Sequence, residues 1–382
     1  MPSPKAMTFP TALQSKPATR ILIVRLSAHG DLIHTLPLLS ALKKQNPNLH
    51  VGWLVESSAA PLLENHPLLE HIHVSHRTQW LCLAKNPLNW PQIFREILAL
   101  LAELRQANYE ISLDVQGLLK SAIWPFLAGI PKRYGFHKTR EFGDWFYTHK
   151  LTYHDLGQPN IPVVERFLDF ARALNGSVEA PEFVVPPVSE AARQHIDSLF
   201  AETDANLPLI VIAPFTRWES KHWLSEHWIQ VLDELSRWPV QVAILGAPGD
   251  TLDTAHLLKQ LPDQNTAKRI HNLVGKTTWP DLYALFEQTR LLIGLDSAPL
   301  HIANAVGIPD IIGIYGPTAS GRTGPIGRQH TTLTTALHCQ PCHKAKCPLN
   351  TQECMRQITP VAVLAMARQH LNLSLPAETG TS

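Results

Sequence analysis

The residues best suited to chemistry lie in the stretch Leu291 to Thr318, LLIGLDSAPLHIANAVGIPDIIGIYGPT. An apolar run, Leu291–Leu295, stops at Asp296, and Pro299 then falls in the first turn of a short helix. Gly307 and Pro309 end that helix before a second apolar run, Ile311–Tyr315. The pattern predicts a β-turn-α-β unit of a parallel sheet. Because Ser297 and Ala298 are small, a ligand can come close to the amides of the helix start, where the helix dipole favours an anion. The stretch suits a phosphate seat, with His301 on the same helix facing the ligand; it suits equally a capped helix in an ordinary α/β domain.

Three more turns carry polar side chains just after an apolar run. Pro214–Trp223 follows Leu207–Ala213 and offers the hydroxyls of Thr216 and Ser220 with the cations Arg217 and Lys221, a set able to hold a diphosphate. Gly246–Asp250 follows Val240–Leu245 and ends in a carboxylate able to bind a ribose hydroxyl. Taken singly, Lys221 reads as a solvated charge and Asp250 as a helix N-cap. In the first half, Arg20–Arg25 empties into the small-residue turn Leu26–Gly30 and then Asp31, at the head of a helical stretch Leu32–Lys44. A carboxylate there is kept ionised and can accept a proton; its plainer reading is an N-cap. Lys120, Lys132, Arg133, Lys138 and Arg140, with Tyr134, Phe136 and Trp145 among them, form a basic cluster after Ile111–Val115, suited to an anionic, sugar-bearing partner. Cys339, Cys342, Cys347 and Cys354 have the spacing C-x2-C-x4-C-x6-C, which can surround a zinc or iron ion or can stand as reduced thiols in a loop. Cys82 stands apart and reads as a core residue.

The elements that must position these groups are two α/β series in tandem, each a doubly wound parallel sheet. With 382 residues the chain has length for two cores. The first series uses Arg20–Arg25, His50–Val55 and Ile111–Val115, with the largely helical Trp80–Arg105 between them. The second uses Leu207–Ala213, Val240–Leu245, Ile270–Leu273, Leu291–Leu295 and Ile311–Tyr315. The boundaries expected are a loose tail at 1–19, a first domain at 20–182, a Pro-rich junction at Ala180–Pro187, a second domain at 188–358 with its cysteine loop at 339–354, and a closing segment at 359–382. The last helix, Thr359–Leu371, either crosses back to the first domain or stays on the second. A formal net charge of +1 and the lack of a recognition motif argue against nucleic acid. No apolar run reaches membrane-spanning length, and five cysteines in so long a chain point to a reducing cytoplasm.

Five separated motifs in order, VRLSAHGDLIHTLPLLSAL, LDVQGLLKSA, APFTRWESKHW, LGAP and GLDSAPLHIANAVGIPDIIGIYGPT, resemble the ADP-heptose:lipopolysaccharide heptosyltransferases, inverting glycosyltransferases of the GT-B fold. The likeness runs from about Ile21 to Leu371. The first two motifs look most like the type-I enzyme, which adds heptose to Kdo of the inner core at the cytoplasmic face of the inner membrane. The cysteine stretch looks instead like type-II members and the iron-binding autotransporter heptosyltransferases. The resemblance implies that Asp31 is the general base, that Thr216 and Lys221 hold the diphosphate, that Asp250 meets the ribose, and that Thr277 lies beside the adenine. It implies that Asp296, Ser297, Ala298 and His301 line the sugar diphosphate and that Lys120 and Arg140 meet the acceptor, lipid-linked Kdo. Pro162 stands where the family often has a His. No DxD dyad is evident, so transfer is expected to need no cofactor, with zinc or iron structural if held by the thiols. A cleft between the domains is expected to hold the chemistry. Protein O-heptosyltransferase, non-catalytic nucleotide-sugar binding and epimerisation of the donor are the competing readings.

Overall fold

The computed structural model describes residues 19–373 apart from 153–157, 159, 175–177, 179, 202, 205, 264–266, 328 and 329; the side chain of Arg140 also lies outside the described residues. The chain forms two compact units, Met1–Pro187 and Val188–Ser382. Each contains a six-stranded, all-parallel sheet.

In the first unit the strands are β1 (Arg20–Val24), β2 (His50–Glu56), β3 (His71–Ser75), β4 (Ile111–Asp114), β5 (Lys132–Phe136) and β6 (His149–Leu151), in the order β3-β2-β1-β4-β5-β6. β1 is central, and Ile21 to Val24 are fully buried, as a continuous apolar run requires when both sheet faces are covered. Helices α1 (His29–Gln45) and α5 (Val163–Ala173) pack on each other. α2 (Arg77–Leu83), α3 (Trp90–Gln106) and α4 (Leu119–Leu127) share a core through Trp80, Leu100, Leu101, Leu104 and Trp124. Cys82 is exposed, not in the core, because Trp80 turns the inner side of the short α2 inward and Cys82, two residues on, points away.

The second unit repeats the plan with β7 (Leu209–Ala213), β8 (Gln241–Ile244), β9 (Ile270–Asn272), β10 (Thr289–Leu295), β11 (Asp310–Ile314) and β12 (Thr331–Leu333), in the order β12-β11-β10-β7-β8-β9. Its longer helices are α6 (Glu190–Leu199), α7 (Ser225–Leu235), α8 (Thr251–Lys259), α9 (Trp279–Glu287), α10 (Ala298–Val306) and α11 (Pro360–Leu371). Gly307 ends α10 at φ 82°, a left-handed conformation that a Cβ would oppose. The closing helix α11 packs on α7 and β11 of this unit. Val363 and Ala367 enter the core, Arg368 pairs with Glu234 at 2.7 Å, and Arg290 donates to the His370 carbonyl at 2.8 Å.

The strand order decides where ligands can sit. The first chain half winds outward from β1 to β3, then restarts at β4 on the other side of β1; the second winds from β7 to β9, then restarts at β10 beside β7. Neighbouring loops diverge at such reversals, opening a crevice outside the carboxyl ends of β1 and β4 in one unit and of β7 and β10 in the other.

Candidate active site

In the second unit, both loops at the reversal meet in one ion-pair network. Lys221 follows β7 in the short helical turn Glu219–Lys221, and Asp296 follows β10 directly. Lys221 Nζ donates to Asp296 Oδ2 at 2.7 Å and to its carbonyl at 3.1 Å, and lies 4.8 Å from the Trp218 ring centre. Thr318 Oγ1 donates to the same Oδ2 at 2.7 Å, and His301 Nε2 stands 3.3 Å from Oδ1. Burial alone would push the Asp296 carboxyl up. The His301 hydrogen bond and the Lys221 charge outweigh it and hold the group well below the usual carboxylate range. Asp296 and His301 are both buried, and the Asp296 carboxylate lies between Lys221 and His301.

Ser297 is the N-cap of α10 in extended conformation and Pro299 lies in its first turn. Its Oγ is buried and has no hydrogen-bond partner among the described residues. Thus the dipole end of a helix, a buried hydroxyl and a fixed ammonium converge beside the end of β10. That combination is built for an anion.

The flanking turns follow β8 and β9. Asp250 caps its own turn, its Oδ2 accepting the Ala247 amide at 2.8 Å. Gly275 donates to the Gly246 carbonyl at 3.0 Å, joining that turn to the one carrying Thr277, which is half-buried. Thr216 is also half-buried, and its carbonyl is 2.8 Å from His222 Nε2.

In the first unit Asp31 lies in the first turn of α1, which begins at His29 with Ala28 as N-cap, so Asp31 is inside the helix and not its cap. Arg25 pairs with Asp31, donates to the Val115 carbonyl at 3.0 Å and lies 5.4 Å from the Phe167 ring centre. The loops after β1 and β4 are tied together as well. The Leu26 amide donates to Gln116 Oε1 at 2.7 Å, and Lys120 Nζ donates to Ser27 Oγ at 3.1 Å. Burial, then the nearby Arg77 charge, lowers the Lys120 pKa. Under these turns Asp114 is fully buried and accepts from the amides of Gln116 and Gly117, Ser121 Oγ and Tyr147 Oη.

The basic cluster is less of a unit than its spacing suggests. Arg133 is spent on the carbonyls of Phe146 and Ile130, at 2.7 and 2.6 Å, and Tyr134 and Phe136 are buried in β5. Arg140 opens the turn-rich segment Arg140–Phe146, and its side chain is outside the described residues. Pro162 caps α5. Arg25, Thr318 and Trp218 are the groups that residue spacing did not single out. Their signals were present, in the cation closing β1 and in the ends of the APFTRW and YGPT stretches.

All four clustered cysteines line one cavity of about 160 Å³ with Leu337, Leu349 and Gln357. Amides of Gln352, Leu349, Thr351 and Asn350 favour the Cys347 thiolate. Yet among the described residues no group of three or more His, Cys, Asp or Glu side chains is arranged to hold a metal ion. The loop is instead fastened to the ion-pair network. Ser220 Oγ donates to the Lys344 carbonyl at 2.5 Å, Gln340 Nε2 to the Gly316 carbonyl at 2.8 Å, and the His343 amide to the Pro317 carbonyl at 2.9 Å.

The profile of glycosyltransferase family 9 (heptosyltransferase) matches residues 97–352, two thirds of the chain. The chain belongs to this family. As a family 9 member it is a glycosyltransferase, and its two parallel sheets are those of GT-B-like heptosyltransferases. It is 26% identical over 342 residues to lipopolysaccharide heptosyltransferase 1 of Pseudomonas aeruginosa, covering 87% of this chain and 89% of the relative. The structure of the Escherichia coli heptosyltransferase WaaC with ADP superposes with a TM-score of 0.71 at 24% identity, over 92% of this chain and all of that one. An iron-containing dodecameric glycosyltransferase, TibC of enterotoxigenic Escherichia coli, shares the fold at a TM-score of 0.54 and 13% identity, over 94% of this chain and 78% of that one. No helix among the described residues is long and apolar enough to cross a membrane.

Proposed function

We propose that this family 9 enzyme transfers heptose from ADP-heptose to a Kdo-bearing inner-core acceptor of lipopolysaccharide, with inversion at the anomeric carbon. The observation that carries the reading is the Lys221–Asp296 pair at the start of α10, beside a buried Ser297 hydroxyl, at the chain reversal of the second sheet. A leaving diphosphate carries its developing charge there, and a fixed ammonium at the positive end of a helix dipole stabilises that charge without reorganising. Thr216 contacts the same diphosphate, and the linked turns of Asp250 and Thr277 receive the ribose and adenine. The Asp250 carboxylate reaches the ribose with the oxygen not bound to Ala247. Ala298 keeps the approach open, and His301 acts through Asp296.

The first unit supplies the acceptor side. Asp31, oriented by Arg25, takes the proton from the attacking hydroxyl as the new glycosidic bond forms and the bond to the diphosphate breaks. Lys120, fixed on Ser27, and Arg140 meet the acceptor's anionic groups. The reaction takes place at the cytoplasmic face of the inner membrane, where a lipid-linked acceptor is presented.

The thiols are a suitable donor set for zinc or iron, but their arrangement does not close around an ion. We assign them a structural part, holding the loop 338–354 against Ser220 and Gly316, and route no step of transfer through them. Metal analysis of protein purified without chelator tells whether bare thiols play that part or, at one equivalent of zinc or iron, a structural ion held by them does.

The deciding experiment incubates the protein with ADP-heptose and either Kdo-lipid A or an autotransporter passenger and follows products by mass spectrometry. One heptose added to the lipid, with one ADP released, is the expected result. Transfer to protein alone overturns the lipid acceptor. Donor binding without turnover overturns the transferase, and conversion of the donor with no acceptor present marks an epimerase.

A further inference from the structure

The helices α2, α3 and α4 bury one side in a common core, and their outer side carries large apolar side chains among its polar ones. On α3, Trp90, Phe94 and Leu98 recur every four residues, which places them in one ridge; they are 59, 64 and 46% exposed. The helix is already held by a separate stripe, Leu100, Leu101 and Leu104; within the ridge the Trp90 indole N–H donates to the Ala84 carbonyl at 3.0 Å, and the ring and chain tips stay exposed. Leu88, just before α3, and Phe126, on α4, are exposed too. Arg105 ties the two helices through the Leu127 carbonyl at 2.8 Å. Scattered exposed leucines need no explanation, but a ridge that includes a Trp and a Phe does.

Charge indicates what covers it. Lys85, Arg95 and Arg105 are exposed around the ridge. Residues 77–150 hold ten Lys and Arg against six Asp and Glu, one of which is the buried Asp114, although the whole chain is at +1. Aromatic and aliphatic tips rimmed by long cations match the headgroup layer of an anionic bilayer, where rings sit at the boundary and cations reach phosphates. The topology also orients the ridge. α3 ends at Gln106 and feeds the start of β4 at Ile111, so its Trp90 end, about 24 Å away along the axis, lies toward the loops of Asp31 and Lys120.

We propose that the outer side of α3 and α4 is a membrane-docking surface, with Trp90, Phe94 and Leu98 entering the headgroup layer of an anionic bilayer. It deepens the reading of a lipid-linked acceptor and rests on it for its purpose, but its test is independent of transfer.

The test is sedimentation of the full chain with vesicles of phosphatidylethanolamine and phosphatidylglycerol, against vesicles of phosphatidylcholine alone. Binding should favour the anionic vesicles and weaken as salt shortens the screening length. The triple variant W90S/F94S/L98S should keep its circular dichroism spectrum and melting temperature, because the ridge is exposed, and should lose at least about tenfold in vesicle binding. Brominated lipid should quench the wild-type fluorescence more than that of Trp90→Phe. Vesicle binding by the triple variant equal to wild type overturns the proposal. So does a wild-type dimer that ignores vesicles and is dissolved by the same substitutions, which assigns the ridge to contact between copies. Vesicle binding without heptose transfer to any acceptor leaves the surface standing and strikes only the assigned reaction.

Discussion

Lys221 gives two hydrogen bonds to one residue, to the Asp296 carboxylate at 2.7 Å and to the Asp296 carbonyl at 3.1 Å. The side-chain bond aims the ammonium and the backbone bond fixes its height above the start of α10. Removing the carboxylate leaves a mostly buried cation unpaired, which costs more than the pair itself contributes. Asp296→Asn should therefore lower stability by about 3 kcal/mol and weaken donor binding at least about tenfold, through loss of the fixed ammonium. Denaturant unfolding and a donor titration measure the two effects. Lys221→Met should weaken the donor similarly; unchanged donor binding in both variants would move the diphosphate elsewhere.

Asp31 and Arg25 separate chemistry from positioning. Asp31→Ala should cut the transfer rate at least about 100-fold while donor affinity stays, because the lost contact exists only as the acceptor proton moves. Arg25→Met should cut it about tenfold by freeing the carboxylate to rotate. Arg25→Lys should recover part of that, since one cation still faces Asp31 but the bond to the Val115 carbonyl is lengthened or lost. A full loss of donor affinity in either Arg25 variant would make the residue a folding element instead.

Asp114 and Asp296, both buried, bend the pH dependence of stability in opposite directions. Burial is the largest influence on Asp114 and pushes it up, against the two amides, Tyr147 and Ser121 that lower it. Its folded pKa thus lies above the unfolded value of about 3.9. The folded state binds more protons in that window, so stability falls as pH rises from the unfolded toward the folded value. Asp114→Asn should remove this fall, since Ser121 and Tyr147 can turn their hydroxyls to accept. Asp296 is depressed, so its contribution is present above about pH 4 and is lost as pH falls through its lower, folded value. Urea midpoints measured from pH 3 to about 7 on wild type, Asp114→Asn and Asp296→Asn read both slopes. The same slope in Asp114→Asn as in wild type would place that titration in another group.

Gln340 supports the donor seat without touching it. Its amide holds the Gly316 carbonyl at 2.8 Å and its carbonyl accepts from Thr335 Oγ1 and the Leu337 amide, at 2.8 and 3.1 Å. Thr318, two residues past Gly316, bonds Asp296. Gln340→Ala should raise the donor KM by a factor of about 3 to 10 with little change in kcat, as expected when ground-state and transition-state binding weaken together. A fall in kcat alone would mean that the loop acts on the chemical step.

The closing helix is a core element of the second unit. Val363 is fully buried, and Val363→Ala should cost about 2 kcal/mol by leaving a cavity. Deleting 359–382 should unfold the second unit, seen as loss of cooperative melting, because the stretch also carries Arg368 to Glu234 and Trp238. A truncated chain with an unchanged melting curve would show the helix to be dispensable.

Much of this was legible in the residues alone. Central strands such as ILIV at 21–24 and LLIGL at 291–295 are continuous apolar runs because both faces of a parallel sheet are covered, and each gives way to a small-residue turn that reveals the ligand end. Outer strands β3, β5, β6 and β12 escaped notice. They lie at or near sheet edges, where one side is wet and His71, Lys132 or Thr331 is tolerated, so no apolar run marks them.

The chain by itself therefore settled that there are two doubly wound units, which turns face a ligand and which residue types wait there, since local patterns of two and 3.6 residues carry that information. Folding alone decided the partners. Lys221 and Asp296 are separated by 75 residues, and Arg25 and Val115 by 90. Only the reversal of strand order brings β10 beside β7 and β4 beside β1, turning a surface lysine into a fixed ammonium and an apparent ligand carboxylate into its buried anchor. No local pattern encodes that pairing, because it depends on which strands become neighbours, and that is set by the burial of the whole sheet.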